Sequence, residues 1–162
     1  MLEMAKKLPF YSRGLRFSCT RCSDCCRHES GFVFMSMKDV SMLASALKME
    51  SREFVRAYCR WIPSVNGTEE LSLKEKSDLD CIFWAKTPVE GCSVYAARPL
   101  QCRSFPFWPS VVHDKDSWEY VAWDCPGMGK GSLHSGESIE KWLALRQNEP
   151  IIFRNIKNKE ET

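Results

Sequence analysis

The chain has 162 residues, of which 44% are hydrophobic and 27% charged, and its formal net charge is +2. This length corresponds to one ordinary domain, and this composition excludes the disordered and fibrous classes of protein. No apolar run approaches the roughly 18 residues of a transmembrane helix, and the first residues do not form a secretory signal. We therefore expect a soluble, cytoplasmic protein with no membrane partner, made of one domain over residues 1–156 and a charged tail over residues 157–162.

The first half of the chain predicts a short strand and two helices. The run Gly31–Met35 is rich in strand formers and leads into Ser36-x-x-Asp39, which has the spacing of a capping box. Apolar residues then recur at the spacing of a helix that buries one face, at Val40, Leu43, Ala44 and Leu47. A second helix is predicted over residues 51–62, and Cys59 lies within it.

The second half predicts short strands separated by turns, followed by one last helix. Strands are expected at residues 70–74, at Cys81–Ala85 and at Trp118–Trp123, with X-Pro pairs in the loops between them. The glycine-rich run Gly127–Ser132 lacks the spacing of a phosphate-binding loop and is interpreted as a turn. A helix is predicted over residues 137–148. The predicted fold class is α+β: a single small, irregular, loop-rich domain organised around cysteine-ligated metal.

Nine cysteines are the feature that departs most from an ordinary intracellular composition. A disulfide scaffold would suit a shorter, exported chain with an even number of cysteines, so metal ligation or redox chemistry is favoured. Eight cysteines are candidate metal ligands: Cys19, Cys22, Cys25 and Cys26 in one C-x-x-C-x-x-C-C motif, then Cys81, Cys92, Cys102 and Cys125. The ninth, Cys59, is interpreted as a free buried thiol within the second helix.

Eight sulfurs fit two kinds of metal centre. Two four-thiolate zinc sites would use them all, but three thiols at x-x spacing can also hold three corners of an iron–sulfur cluster. That spacing and the pair Cys125-Pro126 favour a cluster over zinc, although Glu29 stands where the ferredoxin pattern has a fourth cysteine. Side chains of adjacent residues tend to diverge, so Cys25 and Cys26 are expected to serve different centres or a bridged one. His28 could replace a thiolate, but is more typical of a hydrogen-bonding group.

Arg98 and Arg103 flank Cys102 and are the candidate cofactor-binding residues. Their guanidinium groups could bind an anionic ligand, or could donate hydrogen bonds to metal-bound sulfurs and backbone carbonyls, and the second use is favoured. The basic excess of residues 1–30, which includes Lys6 and Lys7, is interpreted as charge compensation for thiolates. Nucleic acid is therefore not expected as a partner.

The cysteine motifs and their neighbours together resemble the YkgJ-type cysteine-cluster family. They are the opening cysteine motif, Cys81-Ile82-Phe83, the run from Gly91 to Tyr95, the run from Arg98 to Phe107, and Cys125-Pro126-Gly127. The resemblance implies chelation of zinc or iron by the eight cysteines. The same pattern is similar to the cysteine-rich part of flagellin lysine methylases.

The expected function is chelation of zinc, iron or an iron–sulfur cluster, with a structural or redox role. The alternative is an enzyme or enzyme subunit related to protein lysine methylases. A methyl transferase must hold its cofactor beside the acceptor amine, and little of the chain lies outside the cysteine motifs. The isolated chain is therefore not expected to be an enzyme, and a protein partner would complete any catalytic role.

Overall fold

The structure is a computed structural model, and it describes residues 8–65, 67–88 and 90–156. Lys6, Lys7 and the tail at residues 157–162 lie outside the described residues, so what was predicted for them stays a prediction. Helices and short strands are mixed within the described ranges, which confirms the α+β class. None of the helices in those ranges is long and apolar enough to cross a lipid bilayer.

The helices and strands of the described residues are short. The helices are α1 (Met37–Ala46), α2 (Ser51–Tyr58), α3 (Leu100–Ser104), α4 (Lys115–Asp124) and α5 (Gly136–Asn148). The strands are β1 (Leu15–Phe17), β2 (Cys59–Pro63), β3 (Thr68–Leu73), β4 (Trp84–Ala85), β5 (Gly91–Cys92), β6 (Met128–His134) and β7 (Phe153–Asn155). They form three small antiparallel sheets, in the orders β1-β6, β2-β3-β7 and β4-β5.

The described chain divides into two compact units. The first unit contains residues 8–22 and 104–145, and the second contains the described residues of 23–103 and 146–156. Each unit has its own cluster of buried apolar side chains. The chain thus leaves the second unit near the end of α3 and returns to it near the end of α5.

In the second unit, the predicted capping box is confirmed at the start of α1. The Ser36 hydroxyl accepts a hydrogen bond from the Asp39 backbone N–H, and the Asp39 carboxylate accepts one from the Ser36 backbone N–H. The apolar face that follows is buried in the core of this unit, at Val40, Leu43 and Ala44. Local sequence alone therefore predicts both the beginning of α1 and its orientation.

The strand-forming run before α1 is an extended segment, but it is not one of the strands β1 to β7. The Met35 N–H donates to the Leu71 carbonyl at 2.9 Å, and the Ile152 N–H donates to the Met35 carbonyl at 2.9 Å. Met35 thus lies between β3 and the segment that precedes β7, and it is fully buried there.

The predicted second helix begins at Ser51 as expected, but its predicted extent to residue 62 is wrong. The helix ends at Tyr58, and β2 follows at once, with Cys59 opposite Leu73 in β3. Aromatic and β-branched residues in β2 favour a strand, and the Asn-Gly signal after it is typical of a hairpin. Pairing with β3 therefore overrides the continued helical spacing.

In the first unit, the predicted strand at Trp118–Trp123 is wrong, because these residues lie within α4. The Asp114 carboxylate accepts a 2.7 Å hydrogen bond from the Ser117 N–H and caps the helix. Trp118 packs into the core of this unit, whereas the Trp123 side chain is 90% exposed. The side chains that pack at this core, Trp118, Val121 and Ala122, have the i, i+3, i+4 spacing of a helix.

The run Gly127–Ser132 is a turn only at its start, so its interpretation as a turn is wrong for the remainder. Residues from Met128 onward form β6, which pairs with β1. Gly129 and Gly131 have φ angles of +73° and +72°, in the region that favours glycine. A Cβ at Gly131 would also collide with Ser18. The glycines thus allow an irregular strand to pair closely.

Candidate metal centre

The eight candidate ligands are divided between the two units. The second unit contains five of them, at Cys25, Cys26, Cys81, Cys92 and Cys102. The first unit contains three, at Cys19, Cys22 and Cys125. All eight are free thiols.

Cys25 and Cys26 lie in a short 3-10 turn, Asp24–Cys26, which follows Ser23 in a left-handed conformation. The Cys26 N–H donates to the Ser23 carbonyl at 2.8 Å. The two sulfurs are 3.7 Å apart, so the expectation that these adjacent side chains diverge is wrong. Zn–S bonds of about 2.3 Å in a tetrahedral site separate the sulfurs by about 3.8 Å. The observed spacing is therefore compatible with a shared metal ion as well as with a hydrogen bond.

Backbone hydrogen bonds connect the segments that carry Cys26, Cys81 and Cys92. The Cys81 N–H donates to the Cys26 carbonyl at 2.8 Å, and the Trp84 N–H donates to the Cys81 carbonyl at 2.9 Å. Trp84 in β4 is paired in turn with Cys92 in β5. Cys81 is thus connected to the 3-10 turn on one side and, through Trp84, to β5 on the other.

Burial raises the pKa values of Cys81 and Cys92, and nearby backbone amides oppose this effect. The amides of Phe83 and Trp84 lower the pKa of Cys81, and the amide of Val94 lowers the pKa of Cys92. Amides near a sulfur favour the thiolate, which is the form that binds metal.

Cys102, on α3, completes a group of four thiols that interact electrostatically. Negative charge on Cys25 raises the pKa values of Cys81, Cys92 and Cys102, and charge on Cys81 or Cys92 also raises that of Cys102. Charge on Cys25, Cys81 or Cys102 likewise raises the pKa of Cys26. It is unfavourable for all of these thiols to be ionised at the same time. A bound metal cation would offset the negative charge of their thiolates.

The thiols of this cluster differ in how easily they lose their protons. Their mutual hydrogen bond lowers the pKa of Cys25 to about 7 and raises the pKa of Cys26 far above its usual value. Burial raises the pKa values of Cys81, Cys92 and Cys102. In the absence of a cation, the cluster thus has one readily formed thiolate beside thiols that keep their protons.

Arg98 supplies positive charge to this cluster. The thiols whose pKa its charge lowers are Cys25, Cys92 and Cys102. Its Nε donates to the Tyr95 carbonyl at 3.0 Å, and its guanidinium lies 3.7 Å from the centre of the Tyr95 ring. Arg103 instead donates its Nε to the Arg98 carbonyl at 2.8 Å. Both arginines thus bond backbone carbonyls, and their role as cofactor-binding residues stays a prediction.

The donor chemistry of the cluster fits a thiophilic metal. Within residues 8–65, 67–88 and 90–156, no three His, Cys, Asp or Glu side chains already stand at distances that would hold a metal ion. Thiols, amide donors to sulfur and a nearby guanidinium are nevertheless the chemistry that binds zinc or iron. Rotation of side chains in the second unit would have to bring the sulfurs together around the ion.

Cys59 differs from the other cysteines in its surroundings. It is 6% exposed within the apolar core of the second unit, and burial raises the pKa of its thiol to about 12. Its expected burial is confirmed, although it begins β2 and does not lie in a helix.

The remaining candidate ligands have other surroundings. Cys19 and Cys22 are exposed, and Cys125 packs against the core of the first unit. His28 is exposed, with a φ of 75°. A metal-binding role for these four residues stays a prediction.

Comparison with known proteins agrees with the cysteine pattern. Residues 18–126 match the CxxCxxCC family, described as "Putative zinc- or iron-chelating domain". The "Uncharacterized protein MJ0661" of Methanocaldococcus jannaschii is 31% identical over 145 residues, which cover 86% of this chain and 74% of that relative. No solved structure matches the chain. Because the matched residues include all eight candidate ligands and two thirds of the sequence, the chain belongs to the CxxCxxCC family.

Proposed function

We propose that this protein chelates zinc or iron through the thiolates of its clustered cysteines. The observation that supports this most directly is that all eight candidate ligands lie within residues 18–126, which match the family of zinc- or iron-chelating domains described above. Ionising neighbouring thiols is unfavourable without a cation, the more so because Cys81, Cys92 and Cys102 are partly buried, although Cys25 is exposed. A bound metal offsets the repulsion between the thiolates. Metal binding would then stabilise the fold, because its free energy adds to that of folding.

The finer form of the proposal is an iron–sulfur cluster with a structural or redox role. The x-x spacing of the first three cysteines and the pair Cys125-Pro126 support a cluster over zinc. A structural role is supported by the small size of the sheets. Such small sheets stabilise a domain only weakly, and metal ligation often supplies the remaining stability. Cytoplasmic location is part of the proposal, because free thiols persist in a reducing compartment.

Anaerobic purification tests the metal and its identity on one sample. We expect bound iron with acid-labile sulfide and visible absorption if a cluster is present. A colourless protein that contains zinc and no sulfide would contradict the proposed cluster but would support metal chelation. A protein that holds neither metal, and takes up neither on reconstitution under reducing conditions, would contradict both.

The enzymatic alternative is a protein related to lysine methylases, and its support is the resemblance of the cysteine motifs. A protein partner belongs to this alternative. Exposed aromatic side chains often anchor protein interfaces, and α4 exposes Tyr120 by 80% and Trp123 by 90%. We expect the metal-loaded chain alone to transfer no methyl group from S-adenosylmethionine to a lysine peptide. Transfer by the purified chain, followed with radiolabelled methyl, would contradict this expectation.

A further inference from the structure

We propose that Arg27 is a positioning residue of the metal centre, whose side chain holds the segments of Cys26, Cys81 and Cys92 together. This inference rests on the proposed metal chelation and deepens it. It names a residue that acts through the placement of the ligands and does not itself bind the metal.

Arg27 directly follows the 3-10 turn that contains Cys25 and Cys26. Its Nε lies 3.4 Å from Oδ2 of Asp80, the residue that precedes Cys81. This contact is an ion pair and not a hydrogen bond. The Arg27 Nε is buried and the Asp80 side chain is only 6% exposed, so solvent screens the pair little. The ion pair therefore attaches the turn to the segment of Cys81.

The same guanidinium lies over the ring of Trp84. The Cζ of Arg27 is 3.9 Å from the ring centre, and Trp84 is buried. Cation–π contacts are stronger when they are removed from water. Trp84 is paired with Cys92 across β4 and β5, so this contact attaches the turn to the segment of Cys92. A second ion pair, with the exposed Glu90 at 3.8 Å, adds little.

The Arg27 side chain reinforces a backbone contact between two of these segments. The Cys81 N–H donates to the Cys26 carbonyl at 2.8 Å, beside the ion pair between Arg27 and Asp80. A metal centre needs its ligands held precisely by the groups around them. Loss of Arg27 would let the turn move relative to Cys81, which weakens metal binding without removing a ligand.

A positive charge near thiolates could act by charge compensation instead, and Asp80→Asn distinguishes the two roles. The substitution keeps the size of the side chain and removes the charge that holds Arg27. If Arg27 acts by position, metal affinity falls. If it acts by charge, the loss of a negative charge near the thiolates leaves the affinity unchanged or raises it.

Zinc affinity of the full chain, measured anaerobically by competition with a chromophoric chelator, tests the proposal. We expect Arg27→Gln and Asp80→Asn each to weaken zinc binding by about tenfold. The double variant should bind zinc about as well as Arg27→Gln, because the two residues act as one unit. Wild-type affinity in Arg27→Gln, or unchanged or tighter binding in Asp80→Asn, would overturn the positioning role. Should Arg27→Gln fail to fold, Asp80→Asn alone decides.

Arg154 offers a matched control in the same unit. It lies over Trp61 at 4.2 Å and forms an ion pair with Glu69 at 2.6 Å, so it makes the same two kinds of contact. These three residues belong to the sheet β2-β3-β7, whose strands contain none of the eight candidate ligands. Arg154→Gln should therefore keep zinc affinity within about twofold of wild type. An equal loss in Arg154→Gln and Arg27→Gln would assign the effect to general stability and overturn the proposal.

Hydrogen exchange of the full chain, followed by NMR, gives a readout that does not depend on metal affinity. In Arg27→Gln, we expect the Cys81 N–H to exchange about tenfold faster than in wild type. The Leu71 N–H, which donates to the Ile152 carbonyl at 2.9 Å, should keep its wild-type rate. An unchanged rate at Cys81 would overturn the attachment. A wild-type chain that binds neither zinc nor iron would instead overturn the proposed function and, with it, the role of Arg27 toward a metal.

Discussion

The backbone N–H of Leu100 donates a 2.7 Å hydrogen bond to Oδ1 of Asp39, a carboxylate that is fully buried. The other oxygen, Oδ2, accepts hydrogen bonds from the backbone N–H and the hydroxyl of Ser36. One side chain therefore joins the beginning of α1 to the first residue of α3, the helix that carries Cys102.

Asp39→Ala removes both attachments and leaves the Leu100 N–H without its acceptor. We expect the free energy of unfolding of the metal-free chain to fall by about 3 kcal/mol, because hydrogen bonds to a buried charged group are strong. Ser36→Ala keeps the bond to Leu100 and should cost only about 1 kcal/mol. Urea denaturation measures both. Equal losses would show that the bond between Asp39 and Leu100 contributes nothing.

Cys59→Ala tests whether the ninth cysteine is a packing residue. Removing a buried sulfur should lower the free energy of unfolding by about 1 kcal/mol and leave the metal content per chain unchanged. In the wild type, the thiol pKa of about 12 should keep Cys59 protonated and unreactive toward alkylation until the chain unfolds. Metal analysis beside Cys102→Ser, which should lose metal, provides the comparison. Loss of metal in both variants would identify Cys59 as a ligand.

Arg98→Gln removes the positive charge that favours the thiolates of the cluster. We expect metal affinity to fall by about tenfold, and Arg98→Lys to recover part of the loss because it restores a cation. Competition with a chromophoric chelator measures the affinities. The matched control is Arg103→Gln, which removes a hydrogen bond to the Arg98 carbonyl but leaves the Arg98 charge in place. An Arg98→Gln variant with wild-type affinity would rule out charge compensation by this residue.

The cap of α4 predicts a pH dependence in the first unit. Hydrogen bonds from Ser117 and from His113 hold the pKa of Asp114 at about 2, below its usual 3.8. The folded pKa is therefore the lower one, so the ionised carboxylate stabilises the fold above about pH 4 and loses this effect as the pH falls toward 2.

Asp114→Asn isolates this effect because it keeps a capping side chain without a charge. The difference in melting temperature between wild type and variant should shrink between pH 5 and about pH 2, as the wild-type carboxylate becomes protonated. A difference that stays constant over this interval would show that the Asp114 charge does not stabilise the helix.

Elements with strong local signals could be predicted from the sequence. The start of α1 follows from the Ser36 and Asp39 capping box, and α5 follows from its apolar spacing and the proline after it. The C-terminal end of α2 and the identity of α4 could not, because distant partners decide them. Cys59 joins a strand since Leu73 pairs with it, and Trp118 faces a core that is assembled from remote segments.

The candidate site shows the same division between local and distant information. Residue types and spacing predict eight cysteines as metal ligands, which stays a prediction, and they predict the burial of Cys59, which is confirmed. Spacing did not predict how they group, because Cys22 and Cys25 lie three residues apart and belong to different units. It also did not predict the approach of the Cys25 and Cys26 sulfurs to 3.7 Å, in a turn that follows a left-handed residue at Ser23.

The order β2-β3-β7 determines when this sheet can be completed during synthesis. Glu70 pairs with Phe153 and Thr68 with Asn155, so this sheet gains its third strand from the last described residues. A ribosome makes every cysteine of the second unit before it makes that strand. The thiols therefore emerge while the sheet has an open edge, and metal loading during translation would precede closure of that edge. Strand β7 thus completes this sheet only after every cysteine of the second unit has been made.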